Sequence, residues 1–174
     1  AYEIGVRLVG SEMCIRDRNE GEQTMAAKAS TAKRIKFPSV GWYEEVASIT
    51  VADQQYQKYG RLNAIVAFKS EDSIIQVNFD VLNIHEIKEI EEDEMRDCDF
   101  IIELEAEQWK DMLKDIKKNN GASLDWTLNT LDLKYDEPIH RNELEDGFKA
   151  DLFFRYIPSL QVFFDNASQI TTRF

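Results

Sequence analysis

The stretch SIIQVNFDV, residues 73–81, limits the possible folds most, because its apolar and polar residues alternate. Its apolar positions are Ile75, Val77, Phe79 and Val81. Alternation with a period of two predicts a strand with one buried face and one solvated face. The preceding LNAIVAFKS is rich in strand-forming residues, and a turn at Ser70–Asp72 would join the two. The sequence therefore predicts a sheet that other elements cover on one side.

Three later segments extend this sheet. In CDFIIELEA the residues predicted to face inward are Cys98, Phe100, Ile102 and Leu104. The segment LNIHEIKEIEEDEMRD fits a strand or a helix, and we favour a strand because short hairpins would then give a meander. TLNTLDLKYDEPI alternates through Leu131, Leu133 and Tyr135, which predicts the last strand, ended by Pro138. The next segment, HRNELEDG, is expected to be a polar loop with His140 exposed.

Helices are predicted at both ends of the sheet segments. Ser39 is placed to cap a helix whose apolar stripe includes Trp42 and Val46, and a second short helix over 52–58 ends at Gly60. The clearest helix is EAEQWKDMLKDIKKNN, whose apolar face is Trp109, Met112, Leu113 and Ile116.

A last helix closes the chain, and its interior Pro158 should kink or split it. Its predicted apolar face is Leu152, Tyr156, Leu160, Phe163 and Ala167. The order of elements predicts an α+β fold with a mainly antiparallel sheet and helices packed on one face.

Charge and hydropathy narrow the function classes. A net charge of −12 argues against a nucleic-acid-binding protein, which would normally present a basic surface. No stretch approaches the roughly 20 apolar residues that span a bilayer, so we expect no stable membrane insertion.

The cysteines and histidines give no sign of a metal site. Cys14 and Cys98 stand far apart without a CxxC pair, and His85 and His140 are the two histidines. Cys98 is expected to be a buried, inert thiol, and a reducing, cytoplasmic setting fits best. The acidic run EIEEDEMRDCD lacks the ligand spacing and central glycine of an EF-hand, so we interpret it as a solvated loop or charged edge strand.

Residues Leu8–Arg18, LVGSEMCIRDR, resemble a translated laboratory sequence. The codons CTC GTG GGC TCG GAG ATG TGT ATA AGA GAC, which match a transposase-based sequencing adaptor in one frame, encode LVGSEMCIRD. We therefore expect this segment to make few contacts and Met25 to be the true start. The predicted organisation is a non-native or disordered leader over 1–24, a flexible arm over 25–36, and one domain over 37–170.

The segments between 37 and 170 resemble, in order and kind, the sterol carrier protein 2 family. FPSVGWYEEVASITVADQQYQKYGRLNAIVAFK resembles the opening of its bacterial members, and CDFIIELEAEQWKDMLKD resembles its strand–helix unit. LNTLDLKYD and FKADLFFRYIPSLQVFFDNA stand where the family has its last strand and closing helix. The chain departs from the family in a longer loop over 136–147 and in lacking a glycine-rich approach to the last strand.

The resemblance implies a five-stranded sheet with helices around an apolar tunnel that binds sterols, fatty acyl chains or other lipophilic molecules. It implies no cofactor and no catalytic residue. The expected function is therefore non-catalytic binding or carriage of a lipophilic ligand. The residues expected to line the cavity are Phe79, Phe100, Ile102, Trp109, Met112, Leu131, Phe153, Tyr156 and Phe163.

Other interpretations of the same residues stay open. The aromatic residues could simply fill a core, as aromatic residues at helical and strand spacing commonly do. The dense LFFRYIPSLQVFF could instead form an interface, so that the protein is an accessory subunit docked on a partner enzyme, or a homo-oligomer. An enzyme is disfavoured, because no glycine-rich phosphate loop, serine elbow or catalytic carboxylate pair is recognisable.

Overall fold

The computed structural model describes residues 34–71, 73–144 and 146–174. The predicted leader, the adaptor-like segment Leu8–Arg18 and the predicted arm up to residue 33 lie outside this part, and so do the predictions made for them. None of the helices in the described ranges is long and apolar enough to cross a membrane.

The described part of the chain contains five α-helices and seven strands. The helices are α1 Val40–Ala52, α2 Gln54–Tyr59, α3 Ala106–Asn119, α4 Leu128–Lys134 and α5 Gly147–Asp165. The strands are β1 Arg34–Lys36, β2 Leu62–Ser70, β3 Ser73–Val81, β4 Asn83–Glu89, β5 Phe100–Glu103, β6 His140–Arg141 and β7 Thr171–Arg173.

The main sheet has five strands in the order β4-β3-β2-β5-β6. The pairs β2–β3, β3–β4 and β5–β6 are antiparallel, and β2–β5 is parallel. The sheet is therefore mixed but mostly antiparallel, which confirms the predicted α+β class. Of the segment LNIHEIKEIEEDEMRD, favoured as a strand, residues 83–89 form β4 and residues 92–97 form a 3₁₀ helix.

An acidic residue fixes the position of β5. Asp99 stands just before the strand, and its carboxylate accepts a hydrogen bond from the Ile65 N–H at 2.9 Å. The Asp99 N–H donates in turn to the Ile65 carbonyl at 2.8 Å. These bonds align β5 with β2, although β3 and β4 separate the two strands in the sequence.

Capping residues set the ends of the predicted helices. Ser39 accepts from the Trp42 N–H and begins α1, as predicted. All four residues of the predicted apolar face of α3 are buried, and Asn120 ends that helix in the left-handed conformation at φ 57°. Pro158 was predicted to kink or split α5, and the helix continues through it unsplit.

The sheet is covered on both faces rather than one. The helices cover the face that carries the larger core cluster. The 3₁₀ helix Glu92–Asp97, formed by the acidic run, covers the other face with Met95. Cys98 packs there with Ile101 and not beside Phe100, so its predicted facing is wrong.

The Cys98 thiol is buried, as expected. Burial is the largest cause that raises its pKa, to about 11, and the neighbouring carboxylates add to it. A thiol with such a pKa is almost entirely protonated at neutral pH, so it is a poor nucleophile.

The predicted last strand over Leu131–Tyr135 is wrong, because these residues belong largely to α4. Thr127 caps that helix by accepting from the Thr130 N–H. Leu128 and Leu131, one turn apart, are fully buried, whereas Leu133 is 76% exposed. Helical spacing therefore buries more apolar surface than alternation would.

The fifth strand comes instead from the predicted polar loop. His140 and Arg141 form β6 and pair with Ile102 and Ile101 of β5. The Arg141 guanidinium contacts the Glu103 carboxylate, with Nε and Oε2 2.8 Å apart. A two-residue edge strand has no periodicity that a sequence pattern can reveal.

The two ends of the described chain meet in a separate parallel pair. Arg34–Lys36 were predicted to be part of a flexible arm, but they form β1 and pair with β7. The Trp42 indole N–H donates to the Thr172 hydroxyl at 2.9 Å, which ties this pair to α1. The folded domain thus extends beyond the predicted 37–170 at both ends.

Candidate functional site

The residues predicted to line a cavity lie together between the helices and the sheet. They come from β3, β5, α3, α4 and α5 and belong to the larger core cluster, with Tyr156 partly buried at its edge. The fully buried members are Phe79, Phe100, Ile102, Trp109, Met112, Leu131, Phe153 and Phe163.

Phe163 on α5 lies at the centre of the aromatic contacts. Its ring is parallel to those of Tyr43 and Phe68, each with centroids 6.3 Å away. The edge of the Phe79 ring meets it at 5.4 Å, and Phe164 lies at the same distance. Such offset and edge-to-face pairs add to the energy of burying the rings.

Trp109 gives this interior one of its polar contacts. Its indole N–H donates to the Lys69 carbonyl at 2.9 Å, at the end of β2. The ring also lies 5.4 Å from Phe164. The side chain therefore fixes α3 and α5 over the sheet while its buried donor stays satisfied.

The described surface grooves are lined by other residues than the predicted ones. One groove of about 450 Å³ runs between α1 and the edge strand β4, over Val51 and Ile84. Another of about 400 Å³ lies beside β6, among Glu103, Glu137 and Arg141. The predicted lining residues belong to one packed core cluster, and none of them lines these two grooves.

The helix α5 is buried unevenly along its length. In its N-terminal half, 147–157, Phe153 is the fully buried side chain among those described. Phe148 in that half is 71% exposed and Phe154 is 50% exposed. The half after Pro158 is held far more firmly, by the buried residues Ser159, Leu160, Phe163 and Phe164.

A polar pair lies at the edge of the aromatic interior, next to Phe153. His140 was expected to be exposed, but it is largely buried, with 11% of its side chain exposed. Its Nδ1 lies 2.7 Å from the Asp132 carboxylate, which also accepts from the Ile139 N–H at 3.0 Å. The imidazole stacks on Phe153 with centroids 4.3 Å apart and meets the edge of Phe154 at 4.8 Å.

No sequence pattern indicates this pair. The segment that contains Asp132 was predicted to be a strand and His140 to lie in a loop, and the turn between α4 and β6 brings the two residues together. Their separation of eight residues matches neither a helical nor a strand period. The described residues contain no group of three His, Cys, Asp or Glu side chains arranged to hold a metal ion.

A second buried polar group was also missed. The Tyr56 side chain on α2 is fully buried, and its hydroxyl has no hydrogen-bond partner among the described residues. Burial raises the pKa of this phenol to about 12, so it is a neutral donor at physiological pH. An unpaired buried hydroxyl costs about 1–3 kcal/mol.

Replacing Tyr56 with Phe is expected to leave the free energy of unfolding unchanged or to raise it by about 1 kcal/mol. The ring is kept and an oxygen without a partner is removed. Urea unfolding measures the change, and Tyr59→Phe is the control, because Tyr59 lies on the same helix and is 57% exposed. A loss of more than about 1 kcal/mol would show that the hydroxyl is bonded.

Comparison with known proteins identifies no relative. No protein-family model, no curated protein and no solved structure matches this chain.

Proposed function

We propose that the protein binds a lipophilic ligand without catalysing a reaction. The ligand would lie between α5 and the face of the sheet that α5 covers. The observation that carries this proposal is the uneven burial of α5 over an aromatic interior. The N-terminal half of α5 is anchored to the interior by its own Phe153, whose ring centroid lies 6.2 Å from that of Phe100. The resemblance to sterol carrier proteins supports the same position for the ligand.

Opening of that half would give a ligand access to the interior. Pro158 lacks the N–H that would bond the preceding turn, so it is a natural point for the helix to bend. A ligand chain would then replace side-chain contacts with its own. Burial of its apolar surface contributes about 25 cal/mol per Å² removed from water.

Native mass spectrometry and hydrogen exchange together test this proposal. We expect the gently purified protein to retain a lipophile, and an added lipophile to slow amide exchange over 147–157. The amides of 159–165 on the same helix are the internal control, because their side chains are already held in the core. The absence of any retained or added lipophile would overturn the proposal.

The second candidate is an accessory subunit that docks on a partner enzyme through α5, or a homo-oligomer. The exposed rings of Phe148 and Phe154 favour it, because large exposed apolar side chains on one element are typical of an interface. In the same mass spectrum this candidate predicts a bound protein, or a second copy of this chain, in place of a lipid.

We also propose a cytoplasmic location. The buried Cys98 is a free thiol, and free thiols of this kind are usual in a reducing compartment. Detection of a tagged copy of the protein in separated cell fractions tests this location.

A further inference from the structure

The imidazole of His140 is held in one orientation by its neighbours. The Asp132 carboxylate at 2.7 Å lies in front of Nδ1, and the Phe153 ring lies parallel to the imidazole at an interplanar angle of 7°. Phe154 meets the imidazole at 77°, with centroids 4.8 Å apart, and also lies 5.4 Å from Phe153. A half-turn of the ring about Cβ–Cγ would keep the stacking but break the hydrogen bond, because it takes Nδ1 away from the Asp132 carboxylate.

This arrangement fixes which nitrogen carries the proton. A carboxylate can only accept hydrogen bonds, so Nδ1 must donate. In the neutral imidazole Nε2 then carries a lone pair that accepts. Nε2 accepts from none of the described residues, and it is not among their buried unpaired atoms, so it is accessible from outside the protein.

We propose that His140 Nε2 anchors the head group of the lipophilic ligand by accepting a hydrogen bond from its hydroxyl. This inference rests on the proposed function and narrows its ligand class to uncharged lipophiles that carry one hydrogen-bond donor. The apolar part of the ligand would lie along Phe153 and Phe100, directly beside the anchor. His140 is then a positioning residue, oriented by Asp132.

Charge favours a hydroxyl over a carboxylate head group. The buried Asp132 already places a negative charge at the imidazole, and the whole chain carries a net charge of −12. A second carboxylate at Nε2 would be repelled by Asp132 across a partly dry site, where charges interact strongly. A hydroxyl adds no charge and can donate a hydrogen bond to Nε2.

A pair of probes in which a methyl group replaces the hydroxyl hydrogen tests the anchor. The probes are 1-decanol and 1-methoxydecane, measured by displacement of the uncharged dye Nile red. The wild-type protein is expected to bind the alcohol about three- to tenfold more tightly than the ether, as one neutral hydrogen bond allows. Decanoate is expected to bind more weakly than decanol.

His140→Asn is the decisive variant. Its amide NH₂ can replace Nδ1 as the donor to Asp132, but it has nothing at the position of Nε2. We expect the variant to unfold cooperatively, to keep its affinity for the ether and to lose its preference for the alcohol. On the wild-type protein, decanol should also shift the ¹⁵N resonance of His140 Nε2, a measurement that needs no variant.

The outcomes separate the anchor from the carrier function. Equal binding of alcohol and ether by the wild-type protein, or a full alcohol preference in His140→Asn, would overturn the anchor and leave the carrier function standing. Failure of the wild-type protein to bind either probe would overturn both. An unshifted Nε2 resonance with bound decanol would also overturn the anchor.

Discussion

Truncation of Phe163 to alanine is expected to lower the free energy of unfolding by about 3–5 kcal/mol. The ring is fully buried and lies at the centre of the contacts among Tyr43, Phe68 and Phe79. Its removal loses the transfer energy of the ring and leaves a cavity that three rigid rings cannot fill. Because domains are typically stable by 5–15 kcal/mol, the variant should be close to unfolding.

Phe148→Ala is the matched control for this prediction. It lies on the same helix and has the same side chain, but it is 71% exposed, so its truncation should change stability by no more than about 0.5 kcal/mol. Guanidinium unfolding followed by tryptophan fluorescence measures both variants. Equal losses for the two would contradict the arrangement of α5 described above.

Replacement of Asp132 with alanine is expected to lower the free energy of unfolding by about 2–4 kcal/mol. The buried carboxylate accepts from both the Ile139 N–H and His140. Its loss leaves a buried backbone donor and an imidazole donor without an acceptor, and it releases the turn that joins α4 to β6. The exchange rate of the Ile139 amide should rise accordingly.

Asp132→Asn separates the lost hydrogen bonds from the lost charge. The asparagine carbonyl can accept from the same donors, so its cost should be about 1 kcal/mol. Asp136→Ala, at an exposed position in the following turn, should be nearly neutral. A fully stable Asp132→Ala protein would mean that the pair does not hold β6.

Segments with a single clear period could be predicted from the sequence. In α3 the apolar residues fit a helix and no other element, and all four are buried in the structure. In β3 the alternation likewise identifies the strand, although residues such as Ile74 on its other face are buried too. That second buried face could not be predicted, because its cover is the highly charged helix Glu92–Asp97.

The segment that forms α4 could not be assigned to a helix or a strand from its apolar pattern. Leu128 and Leu131 have a helical spacing, whereas Leu131 and Leu133 have an alternating one. Packing in the folded protein decides between the two. The threonine cap at Thr127 was the available signal for a helix. Because the expected last strand is the helix α4, the fifth strand of the sheet is β6.

The candidate site divides in the same way. The apolar residues of the interior could be predicted, because burial follows from side-chain type and period. The pairing of Asp132 with His140 depends on a turn that no local pattern specifies. Polar groups at the edge of a core are therefore the part of this protein that only the three-dimensional arrangement reveals.

The parallel pairing of β1 with β7 determines how the domain responds to a pulling force. Because the two strands run in the same direction, a force applied through Arg34 and Arg173 pulls their far ends apart lengthwise. All the hydrogen bonds of the pair are then loaded in shear and must break together, rather than one after another as in unzipping. We therefore expect this pair to resist stretching of the chain ends more than an unzipping pair of the same length would.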